Sequence, residues 1–142
     1  SYSFGYFDDI RFSNSARYPD GTSFTPPASQ LAYQTTNATA SFEGVTITAG
    51  SSTTKMGAVI TYKNNAGTNA LNSDIILKLS ADNGSNYTTA TLVDNGDLDS
   101  TTKVASVADV TVTAGTQLKY KLEFANQSQS KIARITGVSL QY

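Results

Sequence analysis

The sequence predicts an all-β fold: an antiparallel β-sandwich, jelly-roll-like, with about eight strands and no significant helix. Three observations carry that expectation. Apolar and polar residues alternate with a period of two in several short runs, which sets one face of a strand on a core and the other in water. Turn-forming residues separate these runs, which recur roughly every 10 to 15 residues with no helical period between them. Thr, Ser, Asn, Ala and Gly are abundant while Glu and Leu are sparse, and the mixture suits strands and turns better than helices.

Taken in chain order, the first 33 residues stand apart. Aromatics crowd Tyr2 to Phe12, then Pro19, Pro26 and Pro27 interrupt, and Thr25-Pro26-Pro27-Ala28-Ser29 reads as an extended connector. A boundary near residues 28 to 36 divides the chain into residues 1–33 and a β-sandwich domain over 34–142. In the second part, Phe42, Val45 and Ile47 form a weak run. Met56, Ala58, Ile60 and Tyr62 form a strong one, followed by Ile75, Leu77 and Leu79. Tyr87 to Val93 and Val104 to Val112 are weaker. Leu118, Tyr120, Leu122 and Phe124, then Val138, Leu140 and Tyr142, complete the series. The expected turns are Ala49-Gly50-Ser51, Asn64-Asn65-Ala66-Gly67, Asp82-Asn83-Gly84, Asp94-Asn95-Gly96 and Ala114-Gly115, because Asn and Gly accept positive φ at little cost.

Composition excludes whole classes of function. The chain has 142 residues and a formal net charge of −1, so nothing draws it electrostatically to nucleic acid or an anionic membrane. No apolar run approaches the roughly 20 residues of a membrane span, and no membrane insertion is expected. The start at Ser1, with Tyr2, Phe4 and Tyr6 close behind, lacks a signal peptide's basic and apolar segments, so the numbering is expected to begin at a cut or mature terminus. Without Cys there is neither a disulfide framework nor thiolate chemistry. Without His there is no imidazole base, no Ser-His-Asp triad and no ordinary zinc site. Carboxylate pairs, lysine chemistry and Ser or Thr nucleophiles survive, but no spacing singles out a pair of catalytic acids. A non-enzymatic role is the expectation.

Two stretches carry a resemblance. Gly5-Tyr6-Phe7-Asp8-Asp9-Ile10-Arg11-Phe12, Ala16-Arg17-Tyr18 and Phe24-Thr25-Pro26-Pro27 resemble the closing segment of laminin-G-like (concanavalin A-like) lectin modules, with their G-x-x-D-D/E-L/I-R strand, A-R-Y and F-T-P-P. The match is confined to this opening segment. Leu77 to Tyr87, Leu118 to Leu122 and Ile135 to Tyr142 resemble C-terminal β-modules of phage tail-fibre and other virion surface proteins, which close on an hGhxLxW strand. Here Tyr142 stands where Trp is usual. The resemblance implies a virion-surface, extracellular location and a part in host attachment, through a host-surface glycan, or in packing with other virion proteins. It also implies a homo-oligomer, of which a trimer is the family-based form. A purely structural decoration or linker module, and a carbohydrate-binding module of a secreted bacterial protein, are the alternatives.

The candidate residues follow. Tyr87, just past the Asp82–Asn86 loop, is the best exposed aromatic for stacking on a sugar ring, and Asp82, Asn83 and Asn86 beside it supply polar groups. Tyr2, Tyr6, Tyr18, Tyr33 and Tyr62 are further stacking candidates, and packing in a core or interface is the competing role for any of these tyrosines. Alternation sends Tyr62 and Tyr120 to a core face. Asp94, Asp97 and Asp99 place three carboxylates within six residues, which suits the oxygen preference of Ca2+. The spacing is not that of an EF-hand loop, and a solvated hairpin turn is the simpler reading. Asp8 and Asp9, adjacent on a strand, point to opposite faces, and one is a candidate partner of Arg11. Asn37, Asn83, Asn86 and Asn126 fit N-x-Ser/Thr and mark exposed loops at most. Lys119 and Lys121 alternate with Leu118, Tyr120 and Leu122, and so occupy the outward face of a strand, where lysine blunts edge pairing.

Overall fold

The computed structural model of the protein describes residues 37–142, all within one compact unit, Thr35–Tyr142. Asp8, Asp9, Arg11, the other opening aromatics and the lectin-like segment lie outside the described residues.

The described residues form an all-β, antiparallel, sandwich-like fold without helix. Seven strands are present where about eight are expected: β1 (Ala38–Glu43), β2 (Ile47–Ala66), β3 (Ile75–Ser80), β4 (Thr88–Ala90), β5 (Val93–Asp97), β6 (Lys103–Gln127) and β7 (Ile132–Gln141). Three expected turns are absent, one of which, Asp94-Asn95-Gly96, lies inside β5. Ala49-Gly50-Ser51 runs inside β2, and Ala114-Gly115 runs inside the 25-residue β6. The two segments lie opposite each other across an irregularity in the register, between the pairs Thr48–Gln117 and Thr53–Gly115, and Gly50, Ser51, Ala114 and Thr116 are exposed there. Small and polar residues there mimic a turn in the sequence because little of the ribbon's surface is buried.

One ribbon organises the molecule. β1 and β2 run in succession along the same side of β6, with Phe42 opposite Leu122, Ile47 opposite Leu118 and Ile60 opposite Ala105. The C-terminal part of β6 lies between β1 and β3, and β3 adds β4. Its N-terminal part lies between β2 and β5, and β2 adds β7. The halves of the ribbon thus belong to opposite layers, as in packings where a strand changes sheet through a bend or bulge.

Alternation fills the space between the layers. Ile75, Leu77, Leu79 and Leu122 face Met56, Ala58, Ile60, Tyr62 and Ala105 in one buried cluster, to which Leu118 belongs. Tyr62 is in the core as expected, and Tyr120 packs against it partly buried. Deleting one such side chain, as in Leu122→Ala, typically costs about 2 to 5 kcal/mol.

The bend itself rests on a glycine. A Cβ at Gly115 would collide with the carbonyl oxygen of Ala81. With no side group in the way, Gln117 N donates to Ala81 O at 2.9 Å and Asn83 N donates to Gln117 O at 2.9 Å. This clamp fixes the loop after β3 against β6.

Candidate functional site

The loop after β3 gathers the four residues expected to bind a ligand. Ser80 is fully buried at the end of β3, and its Oγ donates to Asp82 Oδ1 at 2.6 Å while accepting from Gly84 N at 2.9 Å. Asn86 completes the ring: its backbone N donates to Asp82 Oδ1 at 2.9 Å and its Nδ2 donates to Oδ2 at 2.7 Å. These donors, Ser80 first, pull the Asp82 carboxyl down to about 2. Asn83 sits at φ 61° and Gly84 at φ 82°, the left-handed conformations expected of a turn. Asn83 Oδ1 accepts from Thr46 Oγ1 at 2.6 Å. Asp82, Asn83 and Asn86 are therefore brought together, and their polar groups hold the loop shut.

Tyr87 corrects the expectation of an exposed platform. The residue is half-buried and its hydroxyl is fully buried, packed near Gly84. The hydroxyl makes no hydrogen bond among the described residues; the Glu43 carboxylate is near but outside bonding geometry. Burial, with Glu43 adding to it, pushes the phenol up to about 12. The Lys121 ammonium lies 6.0 Å from the ring centroid.

Around Tyr87 the outer face of the β1–β6–β3 layer is a charged ladder. Lys78 pairs with Glu123 at 2.9 Å, Lys121 lies 3.6 Å from Glu123, and Lys119 reaches Glu43 at 3.5 Å. Lys119 and Lys121 do face outward as expected, but β6 is a central strand, so they guard no edge. Alternation predicts the face of a residue; it does not tell an inner strand from an outer one.

The acidic trio does not converge. Asp94 Oδ1 accepts from Gly96 N at 2.8 Å, Asp97 pairs with Lys103 at 2.7 Å, and Asp99 Oδ1 accepts from Thr101 N and Thr102 N at 2.7 and 2.9 Å. Those amides hold the Asp99 carboxyl well below the usual carboxylate range. Among the described residues no group of three acids is placed to hold a metal ion. The cause is local. Asp94-Asn95-Gly96 is a bulge within β5, with Gly96 at φ 88°, and the reversal to β6 comes later, where Leu98 N donates to Thr102 O at 2.8 Å. Spread along a strand and its turn, the three carboxylates satisfy separate neighbours.

Two features have little or no signature in the sequence. One is a buried polar knot. Asp74, 2% exposed, accepts from Ala70 N at 2.7 Å, from Asn126 Nδ2 at 2.9 Å and from Lys131 Nζ at 2.5 Å. Lys131, Ala70 and Asn126 together draw its carboxyl down to about 2. Asn64, Asn69 and Gln127 extend the network toward β7. The only cue in the sequence is an acid placed just before a strongly apolar strand.

The other is an open groove of about 280 Å³, with aromatic and aliphatic side chains among mixed polar and apolar surface, where β1 of one layer passes β7 of the other. Phe42 meets Tyr120 edge-on at 6.1 Å and stacks with Phe124 at 6.2 Å. Ile135 and Val138 line the opposite side. Phe42 remains 42% exposed although it points toward the interior of the sandwich, and every residue of β1 is exposed. Its alternation reads as core-facing, and nothing in the sequence signals that the layers part there.

No family model, curated protein or solved structure matches this protein.

Proposed function

We propose that this protein is a non-catalytic module of a virion surface or fibre protein, and that its work is packing against another copy of itself within an oligomer. The groove carries the reading. An aromatic stack continuous with the core, left open to water, is the kind of surface that mates with a partner. The virion setting is supported by the likeness of Leu77 to Tyr87 and Ile135 to Tyr142 to fibre-ending β-modules. A role in building rather than chemistry is supported by the acids: Asp74, Asp82, Asp97 and Asp99 each serve structural bonds. Packing is favoured over sugar recognition at Tyr87 because the polar groups of that loop bond one another.

Light scattering coupled to gel filtration tests this on the full-length protein. The expected result is an oligomer at micromolar concentration that Phe42→Ser converts to a folded monomer. A wild-type protein that stays monomeric under those conditions sinks the reading.

A further inference from the structure

We infer that Asn95 is a site of spontaneous covalent modification, deamidation through a succinimide, and that the fold protects the only other Asn-Gly step, at Asn83. The sequence holds two such steps, Asn83-Gly84 and Asn95-Gly96. At each, the backbone nitrogen of the glycine can attack the Asn Cγ. The new N–C bond closes a five-membered ring, the bond between Cγ and Nδ2 breaks, and ammonia leaves with the amide proton. Water then opens the ring at either carbonyl, giving Asp or isoaspartate. Water is the only co-reactant, and glycine is the fastest following residue because it has no side group to obstruct the attack.

Both asparagines are exposed and both glycines have positive φ, but the two steps differ in what holds them. Asn83 is fastened at both ends: its N donates to Gln117 O on β6 at 2.9 Å, and its Oδ1 accepts from Thr46 at 2.6 Å. Gly84 N donates to the fully buried Ser80 hydroxyl, and a Cβ on Gly84 would lie 2.9 Å from the Tyr87 hydroxyl. Ring closure there must break the clamp between the loop and β6. Asn95 and Gly96 lie instead in the bulge of β5, between the pairs Asp94–Ala105 and Asp97–Lys103. Both are exposed, and nothing surrounds the Cβ position of Gly96 within 4 Å. The bonds to be lost are exposed ones, from Ser106 Oγ to Asn95 Oδ1 at 2.7 Å and from Gly96 N to Asp94. The product carries a new carboxylate between Asp94 and Asp97, making the protein one charge more negative than its formal −1. As isoaspartate it also lengthens the backbone of β5 by one carbon.

The test is peptide mapping of the full-length protein aged at mildly alkaline pH, beside a sample aged in denaturant. Conversion is read as a gain of about one dalton and as labelling by an isoaspartyl methyltransferase. In denaturant both steps should convert at similar rates. In the folded protein, Asn95 should convert roughly tenfold faster than Asn83 or more, since the bonds that tie Asn83 to Gln117 on β6 and Gly84 to the buried Ser80 hydroxyl must break first. Asn95→Gln should abolish the early mass gain. Equal rates in the folded protein, faster conversion at Asn83, or an intact Asn95 while the denatured sample converts would each overturn the inference.

Discussion

The hydroxyl of Tyr87 is buried beside Gly84 with no hydrogen-bond partner among the described residues. An unsatisfied buried hydroxyl is a standing cost, and removing it while keeping the ring is close to neutral or favourable. Tyr87→Phe should leave stability unchanged or raise it by up to about 1 kcal/mol in urea denaturation. A loss of more than about 1 kcal/mol would mean that the hydroxyl bonds to Glu43 after all. Tyr87 also marks where the sequence stops informing. Its position after a polar loop is legible, as is the gathering of Asp82, Asn83 and Asn86. Whether those polar atoms face a ligand or one another depends on Ser80 and Thr46, which look like ordinary strand and linker residues.

At the level of elements, β6 is the piece least visible in advance. Its two apolar runs are plain, yet Ala114-Gly115 between them reads as a turn. In the structure the strand continues, and Gly115 is required for close approach of the loop after β3. Gly115→Ala would drive a methyl into the Ala81 carbonyl, a backbone atom that can yield only by breaking the Gln117 clamp. The expected loss is about 3 kcal/mol or more. Gly50→Ala is the matched control, since nothing lies within 4 Å of its Cβ position, and thermal unfolding should barely register it. The core strands β2 and β3 are legible because alternation and burial coincide there. The β5 bulge is not, because Asn-Gly serves a bulge as readily as a hairpin.

For the whole molecule, Asp74 ties stability to pH. Its carboxyl titrates at about 2 when folded against 3.8 ordinarily. A depressed folded value means that the stabilisation is complete above the unfolded value and fades as pH falls through the folded one. About 2 kcal/mol should therefore be present at neutral pH and be lost between about pH 4 and pH 2. Urea denaturation across that range should show the decline, and Asp74→Asn should make it shallower by that share while lowering stability at pH 7, the rest coming from the similarly depressed Asp82 and Asp99 carboxyls. If the variant shows the wild-type acid profile, the knot is not its source. The surface ladder of Lys78, Lys121 and Glu123 should contribute little by comparison, being half-exposed and screened by salt.

The unbroken passage of β6 through both layers sets the order of events during synthesis. β2 is translated early, but its partner on one side does not begin until Lys103, and the strand closing its other side begins only at Ile132. β1 waits for Lys121 to Gln127. A nascent polypeptide must therefore carry Met56, Ile60 and Tyr62 uncovered while more than half of the described residues are still to be made. Lys55 and Lys63, which flank the apolar run of β2, are the charged groups that discourage that waiting strand from pairing with another copy of itself.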